Sequence, residues 1–292
     1  MKVSGFTFIK DALTYDYPIL EAIHSVLPIC DEFVVAVGKS SDETLALIKS
    51  IDSSKIKIIE TVWDETMREG GRVLAIETDK AFQAIAKDAD WAFYIQGDEV
   101  IHEKYLDIVK AAMTEYQDNK KVDGFLFNYQ HFYGSYDYIG TSSNWYTHEI
   151  RVVRNLPSIY SYRDAQGFRK GENEKLNVIP IDAYIYHYGW VKPPEAMQRK
   201  QLNFNKYWHN DDWIKDNVEK VEAYDYEGHV QELALFTGDH PEVMKNRIEK
   251  LNWKFDHDIS FNRTKRKDKI KRFLKRYLGL DFSYKNYEII KR

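Results

Sequence analysis

The stretch that most constrains this chain runs from Asp90 to Val100. Trp91 to Ile95 is a short, unbroken apolar run, the pattern of a strand covered on both faces of a parallel sheet. It stops at Gln96-Gly97-Asp98-Glu99, where Gly97 permits a tight turn and two carboxylates stand side by side. Open α/β sheets bind ligands beyond the carboxyl ends of central strands. Carboxylates there can hold a hard divalent cation, and that cation can neutralise a diphosphate. The same two acids can instead cap a helix beginning near Glu103. The stretch alone leaves both readings open.

The flanking segments supply the rest of an alternating α/β pattern. Val3 to Ile9, Phe33 to Val37, Ile56 to Ile59 and Gly124 to Tyr129 read as strands. Helices are expected from about Pro18 to Val26, from the Asp42 cap through Ile51, from the Gly70-Gly71 loop to about Ala86, and from Tyr105 to Tyr116. Such alternation implies right-handed crossovers and a mostly parallel sheet flanked by helices. From Gln130 onward the pattern changes: 131–147 reads as a long loop or an irregular antiparallel extension. Ile150 to Val153 and Ala183 to Tyr186 read as strands around a charged loop, Arg163 to Asn177, and 193–209 and 239–252 read as helical.

The 292 residues suffice for one large α/β domain with additions or two small ones. A net charge of −4 gives no footprint for nucleic acid. Cys30 is the only cysteine, so intrachain disulfides and cysteine–zinc clusters are excluded, which fits a reducing cytosol. Met1 to Ile9 lacks the apolar core of a signal peptide, and no run approaches the roughly 20 apolar residues of a membrane span. The 21 tyrosines and 7 tryptophans suit both sugar surfaces and ordinary cores.

Several residues carry possible chemistry. Gly38 to Thr44 is a small-residue turn after a strand, but with one glycine it matches neither a P-loop nor a dinucleotide fingerprint. Arg68 and Arg72 flank Gly70-Gly71 at the expected carboxyl edge, where guanidinium groups can clamp a diphosphate or simply face solvent. His187 ends an apolar strand; it is either a satisfied core residue or a partner of Asp98 on one cation. Glu149 and Asp164 are acids beside strand-like runs in the second half, each a candidate general base.

Together these residues resemble a nucleotide-sugar glycosyltransferase of the GT-A fold, in particular the inverting family 2. The resemblance covers about residues 3–190. It rests on Lys10-Asp11 after the first strand, on Val34-Val35-Ala36-Val37-Gly38-Lys39-Ser40-Ser41-Asp42-Glu43-Thr44, and on Asp90-Trp91 leading to Gln96-Gly97-Asp98-Glu99. Glu149-Ile150-Arg151-Val152-Val153-Arg154-Asn155 and His187-Tyr188-Gly189 complete it. Two positions depart: Val37 stands where many members carry an acid facing the base or ribose, and Gln96 replaces the first aspartate of the Asp-x-Asp motif.

The resemblance implies a hexosyl-type transferase that takes a nucleoside-diphosphate sugar, in the first place a UDP-sugar, and a glycan or lipid-linked acceptor, as in polysaccharide biosynthesis. Phe8, Lys10, Gly38, Ser40, Arg72, Gln96 and Gly97 would lie near the nucleotide-sugar. Asp98 and His187 would hold Mn²⁺ or Mg²⁺, and Asp164, ahead of Glu149, would be the base. Residues 1–190 would form the transferase domain, with 1–100 on the nucleotide side and 101–190 on the acceptor side. Residues 191–292 would be a helical extension with a basic tail. Two other readings compete. A sugar-phosphate nucleotidyltransferase would need a glycine-rich basic loop where Lys10-Asp11-Ala12-Leu13 stands, and a degenerate, non-catalytic binding domain is suggested by Val37 and Gln96. Finally, Ile270, Phe273, Leu274, Tyr277 and Leu278 place an apolar stripe within the basic segment 263–278. Its helix would dock on its own domain or lie peripherally on the anionic inner face of a membrane.

Overall fold

The computed structural model describes residues 1–261, 269–270, 274, 277 and 285–290. The strands are β1 (Val3–Ile9), β2 (Glu32–Gly38), β3 (Ile56–Thr61), β4 (Trp91–Tyr94), β5 (Glu99–Ile101), β6 (Gly124–Tyr133) and β7 (Tyr138–Gly140). They continue with β8 (His148–Arg154), β9 (Ile159–Tyr162), β10 (Gly167–Lys170), β11 (Glu174–Trp190), β12 (Leu233–Leu235) and β13 (Tyr287–Ile289). The helices are α1 (Ile19–Val26), α2 (Thr44–Lys49), α3 (Arg72–Gln83), α4 (Leu106–Glu115), α5 (Pro194–Phe204), α6 (Asp211–Asn217), α7 (Tyr226–His229) and α8 (Lys245–Glu249).

One mixed sheet in the order β3-β2-β1-β4-β8-β6-β11-β10-β9 organises the chain. Its first four strands are parallel, and β6 runs parallel to β11. Between those two blocks β8 lies antiparallel to both β4 and β6. The α/β class and the helix-flanked sheet are those expected from the sequence. The run that suggested a doubly covered strand is one: all four β4 side chains are buried. Trp91 and Phe93 enter the core on one face, with α1 and α4, while Ala92 and Tyr94 enter the other, with α3 and Phe168. The two-residue period of a strand sends alternate side chains to opposite layers.

Three segments differ from expectation. The loop between β8 and β11 contains the β9–β10 hairpin. β11 is far longer than Ala183 to Tyr186, because a register shift between Pro180 and Tyr184 lets it continue past a proline. The segment beyond 190 is not helical alone: β12 pairs with β7 and β13 with β11, so it returns strands to the first part of the chain. Among the described residues no helix is long and apolar enough to cross a membrane. Apart from 269, 270, 274 and 277, the basic segment 263–278 lies outside the described residues.

Candidate active site

The carboxyl ends of β1 and β4 open into a cavity of about 290 Å³. Phe8, Lys10, Gln96, Gly97, Asp98, Asp164 and His187, drawn from four separate stretches of sequence, all line it. The edge of a parallel block therefore gathers most of the residues singled out above.

Asp98 and Glu99 do not cap the following helical turn; the imidazole of His102 does, its Nδ1 accepting from the backbone N–H of Lys104 at 3.3 Å. The two acids part company instead. Glu99 is fully buried and binds Arg151 through two 2.7 Å hydrogen bonds. Its Oε1 also accepts from Tyr129 and its Oε2 from the N–H of Gln96. Arg151, only two residues from Glu149 in sequence, thus belongs to Glu99, with its guanidinium over the rings of Tyr94 and Tyr129.

Asp98 turns to the cavity. Its Oδ2 accepts from Lys200 Nζ at 3.2 Å, and its Oδ1 lies 3.7 Å from His187 Nε2. Burial opposes its charge, yet Lys200, His187 and Lys192 outweigh burial and hold the carboxyl well below the usual carboxylate range. Burial pushes His187 down to about 4 and the neighbouring His131 to about 3, so both are neutral at pH 7.

The hydrogen bonds then fix both tautomers. His131 Nε2 lies 2.7 Å from the carbonyl of Tyr146, which can only accept, so Nε2 carries the proton. His131 Nδ1 is then an acceptor, and His187 Nδ1 donates to it at 3.0 Å. That leaves a lone pair on His187 Nε2 facing a carboxylate oxygen. Two Lewis bases facing each other, with the imidazole oriented by its second nitrogen, form a donor set suited to a divalent cation. Gly189 keeps the space open: a Cβ there would come within 2.6 Å of His187 Nε2 and 2.7 Å of Asp98 Oδ2. Among the described residues no third His, Cys, Asp or Glu joins the group. Further ligands would have to come from substrate oxygens and water, the usual condition for Mg²⁺.

Asp164 sits in the β9–β10 turn between Arg163 and Ala165, both at positive φ (56° and 65°). Non-glycine residues held in that region mark positions that the surroundings over-determine. The turn is anchored where Gln96 Nε2 donates to the carbonyl of Ala165 at 3.0 Å. Gly71 allows the start of α3 to approach, since a Cβ there would lie 2.6 Å from that of Asp164. Burial raises the Asp164 carboxyl above its ordinary value. Glu149 does not line the cavity. It is buried, and burial pushes it up to about 8, so it is largely protonated at neutral pH.

Gly38, Ser40 and Arg72 also lie off the cavity wall. Gly38 leaves room for the indole of Trp63, which does line it. Ser40 is a structural link, accepting from the Asp11 N–H at 3.0 Å and donating to the Gly38 carbonyl at 2.8 Å. Arg72 opens α3 with an exposed side chain. Arg68 reaches Asp211 and the carbonyl of Lys206. The sequence reading missed Lys200 and His131. Lys200 is one lysine of a polar helix, and His131 faces His187 only through the β6–β11 register, so neither carried a signal in sequence. Phe8, Trp63 and Tyr207 form an aromatic shelf on the wall, with ring centroids 5.7 and 5.8 Å apart in sequence.

No family model and no curated protein matches the chain. Among solved structures, S. aureus TarS is similar at 15% identity over 70% of this chain, with a TM-score of 0.43, and the match spans only 39% of TarS. Its 1–349 form, crystallised with UDP, matches at 16% identity over 69% of this chain and 64% of that one, with a TM-score of 0.43. Glucosyl-3-phosphoglycerate synthase from Mycobacterium tuberculosis, in complex with Mn²⁺, UDP and glucosyl-3-phosphoglycerate, matches at 16% identity over 46% of this chain and 45% of its own, with a TM-score of 0.30. A 4-diphosphocytidyl-2C-methyl-D-erythritol synthase from Anaerococcus prevotii DSM 20548 matches at 12% over 65% of this chain and 91% of its own, with a TM-score of 0.37. With identities this low and every score below 0.5, the functional reading rests on the geometry of the cavity.

Proposed function

We propose that this chain is a glycosyltransferase that moves a sugar from a nucleoside-diphosphate sugar, in the first place a UDP-sugar, to a glycan or lipid-linked hydroxyl with inversion. One observation carries the reading: an aromatic shelf, two lysines, a cation-ready Asp98–His187 pair and a separate half-buried carboxylate, Asp164, share one cavity at the carboxyl edge of β1 and β4.

The base of the nucleotide stacks on the shelf of Phe8, Trp63 and Tyr207. Lys10 and Lys200 face the diphosphate as donors and counter-charges. Asp98 and His187 would hold Mn²⁺ or Mg²⁺, which would supply positive charge where the leaving diphosphate accumulates negative charge. Lys200 already offers an ammonium group beside Asp98 and stabilises the same developing charge. Asp164 accepts the proton of the acceptor hydroxyl as its oxygen bonds to the anomeric carbon. The bond from that carbon to the diphosphate oxygen breaks, and its electron pair leaves with the nucleotide. The raised Asp164 carboxyl is a better proton acceptor, once ionised, than an exposed aspartate. The turn after β1 carries no glycine-rich loop, which disfavours the nucleotidyltransferase alternative.

The test is nucleotide binding with and without metal. UDP should raise the melting temperature more with Mn²⁺ than with EDTA, and Asp98→Ala should erase the difference and abolish transfer. Equal stabilisation of the wild type in Mn²⁺ and EDTA refutes the cation role, and no UDP stabilisation in either refutes the donor.

A further inference from the structure

A second cavity, of about 250 Å³, lies against the first, and Trp190 lines both. Its partition is aromatic: Trp145 faces the second cavity while its neighbour Tyr146 faces the first. Trp145 meets Trp190 edge-on, with centroids 6.0 Å apart at 85°, and Trp190 meets Tyr224 at 6.2 Å and 54°. Gly140 permits this by leaving the space its own Cβ would take to the Trp145 indole. Trp145, Trp190 and Tyr224 are all partly exposed, so ring surface remains open to a ligand.

Polar groups complete the walls. Asn144 and Gln231 are joined by a 3.0 Å hydrogen bond between their amides, leaving further donor and acceptor positions on each. Ser142 is 5% exposed and lines the cavity, and its Oγ has no hydrogen-bond partner among the described residues. A buried hydroxyl left unmet is rare unless a water or a ligand supplies its partner. Among the described residues no lysine or arginine lines this cavity, whereas Glu232 does.

We infer that this cavity is a saccharide subsite that holds one pyranose ring of the acceptor. The inference rests on the transferase reading given above. Aromatic faces meet the apolar C–H faces of a sugar, while amide and hydroxyl groups meet its edge. The volume falls just below the roughly 300–1,000 Å³ of drug-sized pockets, which suits a single ring. The shared Trp190 places the ring next to the cavity where transfer occurs, so the subsite selects the acceptor.

Saturation-transfer difference NMR of the full chain tests this, using the methyl glycosides of glucose, galactose and N-acetylglucosamine at millimolar concentration. At least one neutral glycoside should receive saturation, and saturating UDP should leave the signal in place. Tyr224→Ala should weaken it about tenfold or more. Because Tyr224 also packs on Tyr226, Gln231→Ala provides a second variant on a partly exposed side chain, and far-UV circular dichroism checks both. The subsite is refuted if no neutral glycoside is saturated, if UDP displaces the signal, or if both folded variants keep it. The melting shift with UDP reads the donor independently: a shift without glycoside binding sinks the subsite alone, and glycoside binding without a shift sinks the donor reading.

Discussion

Replacing Arg151 with methionine removes one half of a pair that is wholly inside the protein. Both side chains are 0% exposed, and the guanidinium makes two 2.7 Å hydrogen bonds to Glu99. Glu99 would keep only Tyr129 and the Gln96 N–H as partners, which leaves a carboxylate buried without its counter-charge. Breaking such a pair from one side costs about 3–5 kcal/mol, which corresponds to a melting temperature lower by roughly 5–8 °C in a chain of this size. Adding Glu99→Gln removes the stranded charge while keeping one acceptor for Tyr129 or Gln96. The double variant still leaves unmet N–H donors, each worth about 1–3 kcal/mol, but no stranded charge, so it should be more stable than Arg151→Met. Urea unfolding of wild type, Arg151→Met and the double variant measures all three states. If the double variant is no more stable than Arg151→Met, the cost does not come from an uncompensated buried charge, and the reasoning fails.

Two further outcomes are expected. Asp164→Asn should lower kcat by roughly 10²-fold or more while leaving UDP affinity nearly unchanged, whereas Glu149→Gln should retain turnover; the reverse result in steady-state kinetics would transfer the role of base to Glu149. Burial also makes Glu149 a pH-dependent liability: native Glu149 holds its proton to about pH 8 and the unfolded chain releases it above about 4.5. Across that window the unfolded state binds fewer protons, so stability should fall as pH rises, by up to about 1.4 kcal/mol per unit, and level off above it. Glu149→Gln should flatten the decline, and parallel urea midpoints for the two proteins from pH 5 to pH 8 would show that Glu149 does not titrate as described.

The parts legible in sequence were those set by local pattern. Trp91 to Ile95 announced a central strand, Gly97 its turn, and Asp98 the cavity wall, because burial on both faces and a tight turn each leave a signature within a few residues. The β9–β10 hairpin was hidden by its charge: Arg163, Arg169 and Lys170 read as a solvated loop, yet Arg169 is buried against the ring of Tyr162. β11 was shortened by Pro180 and Asp182, which break the alternation where the ladder shifts. Arg151 lies two residues from Glu149, yet its partner lies 52 positions back. Side chains two apart on a strand share a face, so sequence proximity alone favours Glu149, and only the folded neighbourhood of β8 and the turn after β4 reveals Glu99. Lys200 reaches Asp98 across 102 positions, a contact that no periodicity encodes.

The placement of Lys200 on α5 bears on how this architecture can diversify. The sheet edge supplies Asp98, His187 and the floor of the cavity, but Lys200, Gln201, Asn203, Phe204 and Tyr207 close it from α5 and the turn that follows. The walls of the cavity therefore come from both sides of residue 190. The two walls answer to different constraints, since the sheet must keep its packing on both faces while one face of a short surface helix is held mainly by what it covers. Substitutions along α5 can change the size and charge of the chamber with little disturbance to the strands beneath. A wall of that kind is where related chains would differ in the ligands they accept while sharing one scaffold.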